Sequence, residues 1–68
     1  MAASIRNQLV GKIKSITSDR VMSEIRVDTA AGPITSVITT HSVKSLQLKK
    51  GDQVVILVKA TNVSLAKG

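Results

Sequence analysis

Three short stretches of this sequence carry hydrogen-bond donors with no carboxylate among them. They are Ser4-Ile5-Arg6-Asn7-Gln8, which runs into Leu9-Val10-Gly11, then Thr39-Thr40-His41-Ser42, and Lys59-Ala60-Thr61-Asn62-Val63. The Arg6 guanidinium, the Lys59 ammonium, the Asn7 amide and the hydroxyls of Ser4, Thr39, Ser42 and Thr61 suit a fully deprotonated oxyanion, which offers acceptors only. Small Ala60 lets an anion approach the backbone N–H groups of Ala60 and Thr61. Each charge-assisted hydrogen bond contributes on the order of 1.5–3 kcal/mol, so several converging donors are enough for a useful site. Taken singly, each stretch also has a structural role open to it. Arg6 can end an exposed strand, Thr39 can cap a helix, and Lys59 can run its stem along the surface to water. His41 either lines the same site or is an exposed histidine without a role.

The elements that must position these residues are mostly strands. Leu9 to Ile16 alternates, with Leu9, Gly11, Ile13 and Ser15 on one face and Val10, Lys12, Lys14 and Ile16 on the other. Gly11 within it marks a bulge or a close approach by another backbone. After the polar turn Thr17-Ser18-Asp19-Arg20, the stretch from Val21 to Asp28 sets Val21, Ser23, Ile25 and Val27 against Met22, Glu24, Arg26 and Asp28, and the two strands should form a hairpin. Thr29-Ala30-Ala31-Gly32-Pro33 is a turn, and Ile34 to Thr39 is a β-branched strand. A helix of about two turns follows, capped by Thr39 or Thr40, with Val43, Leu46 and Gln47 at helical spacing.

Beyond the Lys50-Gly51-Asp52 turn, Val54-Val55-Ile56-Leu57-Val58 is apolar on both faces, and the face left over from the core is expected to meet another subunit. Asn62 to Ala66 is expected as a last short strand. The fold class this order predicts is all-β with one short helix, a five-stranded barrel of the oligonucleotide/oligosaccharide-binding (OB) type.

Composition narrows the chemistry further. Residues 1–68 are expected to form one domain, and a domain of that size is marginal without disulfides, a metal or oligomerisation. There is no cysteine, and a lone histidine cannot build a zinc site, so oligomerisation remains. Ten Lys and Arg against four Asp and Glu give a net charge of +6, which points to an anionic partner. The four acids, Asp19, Glu24, Asp28 and Asp52, make no catalytic constellation with a nucleophile or base, so a binding protein is expected rather than an enzyme. Neither a signal peptide nor an apolar stretch of membrane-spanning length is visible, and the expected location is the cytoplasm.

At this point the residues carry a resemblance. The opening Ser4-Ile5-Arg6-Asn7-Gln8-Leu9-Val10-Gly11, the Thr39-to-Ser42 segment, Leu46-Gln47-Leu48-Lys49-Lys50-Gly51 and the closing Lys59-Ala60-Thr61-Asn62-Val63 together resemble the molbindin, or TOBE, family of small molybdate-binding proteins, also called molybdopterin-binding proteins. The resemblance implies an OB-like barrel assembled as a homohexamer, a trimer of dimers, with molybdate or tungstate bound between subunits. It implies no organic cofactor and no metal bound other than as its oxyanion. The matching ligands are Ser4, Arg6, Lys59, Ala60 and Thr61 on one chain, with Asn7 beside them, and Thr39 and Ser42 on the neighbouring chain. Ile5 stands where a small Ala is common in the family, and the turn at Thr29-Ala30-Ala31-Gly32-Pro33 is less glycine-rich than usual.

The function expected is binding, storage or buffering of molybdate. At neutral pH molybdate is a dianion without a proton to donate, whereas phosphate is partly protonated and would profit from a carboxylate acceptor. Sulfate passes the same test and must be excluded by cavity size. The alternative is a nucleic-acid-binding barrel, suggested by the charge. Such barrels stack bases on aromatic side chains, and this chain has no Phe, Tyr or Trp. Neither a nucleic acid nor a membrane is therefore expected as a partner.

Overall fold

A computed structural model describes residues 7–68. Its elements are β1 (Asn7–Ser18), β2 (Met22–Thr29), β3 (Gly32–Thr39), α1 (Thr40–Ser45), β4 (Gln53–Val58) and a single 3-10 turn at Ala60–Asn62. The strands form one antiparallel sheet in the order β3-β2-β1-β4, so β1 is the strand that joins the first hairpin to the last strand.

Alternation sets the faces of β2 as the sequence leads one to expect. Ser23, Ile25 and Val27 are buried, while Glu24, Arg26 and Asp28 are exposed. Strand β1 departs from simple alternation. Ile13 faces Val27, but the next partners are Ser15 with Arg26 and Ile16 with Ile25, so the register slips by one residue at Lys14. That bulge turns Ile16 onto the face of Ile13, where it packs against the core. The expected assignment of Ile16 to the opposite face is thereby corrected, because a strict period of two holds only while pairing is uninterrupted.

Gly11 lies not at the bulge but at a close approach. A Cβ placed there would sit 2.5 Å from Val27 Cγ1 and 2.8 Å from the Asp28 carbonyl oxygen, so the inner face is tight where β1 passes between β2 and β4.

Helix α1 is capped by Thr39, whose Oγ1 accepts from the Ser42 N–H at 3.0 Å. It stops before Gln47, which was expected to continue the helical spacing. Gln47 adopts φ 55°, and the N–H groups of Gln47 and Leu48 return to the carbonyls of Lys44 and Val43. This is the reversed ending that usually takes glycine, and it lets Leu48 fold back with Val43 onto the core.

The core is small. Ile13, Ile25 and Val27 are fully buried, with Ile16, Ile38, Val43, Leu48, Val54 and Ile56 packed around them. Strand β4 is apolar on both sides. Its Val54 and Ile56 turn inward, and Val55 and Leu57 lie with Val10 on the outer face, where Val10 is 57% and Val55 50% exposed.

The described chain has four strands in an open sheet, not the five of a closed barrel. Ala60–Asn62 turns as a 3-10 segment, and residues 63–68 have no regular structure, so the expected strand at Asn62–Ala66 is corrected. A strand exists only where a neighbour accepts its backbone hydrogen bonds. The 3-10 turn carries this segment off the line of β4, and Leu65 is left 94% exposed.

Candidate functional site

Two of the donor stretches end up at opposite ends of the sheet. Pairing of β1 with β4 sets Asn7 opposite Val58, so Lys59 leaves the sheet beside the start of β1. Pairing of β2 with β3 sets Thr39 opposite Met22, next to the far end of β1, where Ser18 faces Ser23. At about 3.3 Å per residue, a strand the length of β1 separates these ends by up to about 36 Å. Asn7, Lys59, Ala60 and Thr61 are thus brought together, and Thr39 and Ser42 are brought together. Within one chain the two groups do not meet. The proposed ligands Ser4 and Arg6 lie outside the described residues.

At the Lys59 end, Lys59, Ala60 and Thr61 are all exposed. Hydrogen bonding within the 3-10 turn begins with the Asn62 N–H, which donates to the Lys59 carbonyl at 2.9 Å, and continues from the Val63 N–H to the Ala60 carbonyl at 3.3 Å. The N–H groups of Ala60 and Thr61 come before the first of these bonds and take no part in the turn. Among the described residues the one ion pair is Arg26 with Glu24 at 3.5 Å, so Lys59 keeps its charge unpaired there. This end offers an ammonium and exposed polar groups with no carboxylate in hydrogen-bonding range.

At the Thr39 end the groups are neutral and tied to one another. Thr39 Oγ1 lies 2.7 Å from Ser42 Oγ while also accepting the Ser42 N–H. Two hydroxyls sharing one bond use one of their two protons, so the pair keeps one O–H for an outside acceptor. His41 sits at the 3.5 Å limit from Ser45, one turn along the helix, and makes no bond to either hydroxyl.

The sequence reading missed what lies beneath this end. Ser23 is buried and bonded to Ser18 and Thr40, and Asp19 closes the turn below by accepting from the N–H groups of Val21 and Met22, each at 2.8 Å. Those two bonds, Met22 first, hold the Asp19 carboxyl below the usual carboxylate range. The visible signal was a serine at an inward position between apolar neighbours of β2.

Two concavities among the described residues do not suit an anion. The larger, about 420 Å³, is the apolar inner face lined by Ile13, Ile25, Val27, Ile38 and Ile56. The smaller, about 330 Å³, is bordered by the carboxylates of Asp19 and Glu24. No group of acidic, histidine or cysteine side chains among the described residues is arranged to hold a metal ion, and no helix among them is long and apolar enough to cross a membrane.

The chain is similar to known proteins over nearly its whole length. The profile of the TOBE domain matches residues 3–65. Molybdenum-pterin-binding protein 2 of Clostridium pasteurianum is 38% identical over 66 residues, covering 96% of this chain and 97% of its own length. A molybdate-binding protein from Sporomusa ovata superimposes with a TM-score of 0.93 at 39% identity, covering 98% of this chain and all of the other. The cytoplasmic molybdate-binding protein ModG, in a form with molybdate bound, superimposes with a TM-score of 0.81 at 34% identity over 88% of this chain and 43% of its own.

Proposed function

The chain belongs to the TOBE domain family, and on that premise we propose that it binds molybdate, or its congener tungstate, as the intact oxyanion. The observation that carries this reading is the division of a carboxylate-free donor set between two ends of one sheet. A site that uses both ends takes Asn7, Lys59, Ala60 and Thr61 from one copy, with Ser4 and Arg6 from the segment before β1, and Thr39 and Ser42 from a neighbour. The exposed apolar strip of Val10, Val55 and Leu57 supports association of copies, because leaving it in water forgoes the burial that a three-residue core cannot supply. A homohexamer arranged as a trimer of dimers is the assembly this reading favours.

The role is binding, storage or buffering in the cytoplasm rather than catalysis. Nothing about the donor set activates a bond. Among the described residues no base is hydrogen-bonded to the Thr39 or Ser42 hydroxyl, and the Lys59 ammonium supplies charge to an acceptor-only anion. The absence of Phe, Tyr and Trp argues against a base-stacking surface for nucleic acid.

Thermal melting with molybdate, tungstate, sulfate and phosphate in turn tests the reading. A ligand at 100 times its dissociation constant adds about 2.7 kcal/mol. Molybdate and tungstate are expected to raise the midpoint and phosphate to leave it unchanged. No shift with any of the four would sink the proposal, and a monomer by light scattering would remove the shared site.

A further inference from the structure

Ser23 is the one fully buried polar side chain among the described residues, 1% exposed in a core otherwise made of aliphatic groups. Burying a hydroxyl is costly unless it is hydrogen-bonded, and Ser23 is bonded on both sides. Its Oγ lies 2.7 Å from Ser18 Oγ and 2.8 Å from Thr40 Oγ1, and Thr40 Oγ1 donates to the Asp19 carbonyl oxygen at 2.8 Å. The direction of this chain of bonds follows from proton counting. A carbonyl only accepts, so the last proton is Thr40's. Each hydroxyl has a single proton, so Ser23 donates to Thr40 and Ser18 donates to Ser23. The Thr40 N–H also donates to the Val21 carbonyl at 2.9 Å.

Thr40 is thus held through backbone and side chain to the turn between β1 and β2. It stands directly after Thr39 and two residues before Ser42, the pair whose hydroxyls share one bond and keep one proton free. Six residues of helix do not hold themselves in water, so the direction of that free O–H depends on what anchors the segment. The anchor reaches down to a buried serine.

We infer that Ser23 and Thr40 are positioning residues for oxyanion binding: the directed Ser18–Ser23–Thr40–Asp19 chain holds the Thr39 and Ser42 hydroxyls in the orientation that receives the anion. The inference rests on the molybdate reading above and names two residues that touch no anion themselves. A purely structural role makes a different prediction. Ser18 is exposed and Thr40 half-buried, so replacing Ser23 by Ala leaves both able to bond to water and the sheet pairing intact.

The test is molybdate titration by calorimetry together with the anion-free melting midpoint, on the wild type, Ser23→Ala, Thr40→Val, Thr40→Ser and Ile25→Val. Ser23→Ala and Thr40→Val are expected to weaken molybdate about tenfold. Thr40→Ser keeps the hydroxyl and should stay within about twofold of the wild type. Ile25→Val lowers the midpoint through the core alone and should leave the dissociation constant unchanged. Wild-type affinity in both Ser23→Ala and Thr40→Val overturns the inference, as does an equal weakening in Ile25→Val. If Ser23→Ala does not fold, the contrast between Thr40→Val and Thr40→Ser decides. A wild-type protein that binds no molybdate overturns the binding reading itself, and this inference with it.

Discussion

In the proposed site the two ends of the sheet divide the work of holding an anion in different ways. At one end Lys59 brings a full charge on an exposed side chain, and the 3-10 turn behind it is bonded only through its own backbone. At the other end Thr39 and Ser42 bring no charge, but they stand on a frame of bonded hydroxyls that reaches a buried serine. An ammonium attracts an anion from any direction, so its placement tolerates slack. A hydroxyl is useful only along its O–H bond, so it must be aimed. In the proposed site, side-chain hydrogen bonds frame the groups that must be aimed, while the 3-10 turn beside the charged group has no side-chain cap bond.

Strand β1 is shared by both ends, so the largest effect is expected where it is most crowded. Gly11→Ala puts a methyl against Val27 and the Asp28 carbonyl and should cost about 2–3 kcal/mol, a fall in melting midpoint of roughly 10 °C or more. An unchanged midpoint would mean that β1 and β2 part at Gly11 without cost.

Next comes the contrast itself. Lys59→Ala should weaken molybdate by about 1.5–3 kcal/mol while leaving the anion-free midpoint alone, since the side chain is exposed and has no ion-pair partner among the described residues. Thr39→Ala should do the reverse in emphasis. Loss of the cap costs about 1 kcal/mol of stability, a drop of several degrees, with a smaller loss of affinity. Calorimetry and melting on the same two variants separate a charge from a frame; if both lose affinity and stability in equal proportion, the distinction between the ends is wrong.

The smallest effect concerns the turn under the frame. Asp19 has its folded pKa lowered by the N–H groups of Met22 and Val21, so its contribution is fully present above the ordinary value of 3.8 and is lost as pH falls through the folded value. Asp19→Ala should therefore narrow the gap between midpoints measured at pH 7 and near pH 3. A gap as wide as the wild type's would show that these bonds do not contribute.

Much of the fold was legible because its signals are local. Alternation in β2 and the turn at Gly51 depend on a few adjacent residues and are where the residue types put them, whereas the cap, open between Thr39 and Thr40, and the role of Gly11, open between a bulge and a close approach, were decided by the structure. Ile16 was misassigned because a bulge at Lys14 has no signature in residue type. Gln47 was misread because glutamine rarely takes a left-handed backbone, and here the inward return of Leu48 outweighs that cost. Asn62 to Ala66 alternates like a strand yet is none, since pairing belongs to two segments and only one was in view. The Ser23 chain escaped for the same reason, its members lying in three different elements.

The residue types by themselves determined the chemistry: donor stretches without carboxylates, a positive balance and an aliphatic core with neither cysteine nor Phe, Tyr or Trp. Charge and hydrogen-bonding capacity belong to side chains and do not depend on where the chain goes. Tertiary structure alone decided which donors share a neighbourhood. The strand registers carry Lys59 to Asn7 and Thr39 to Ser18, at opposite ends of one sheet, because register converts sequence separation into distance.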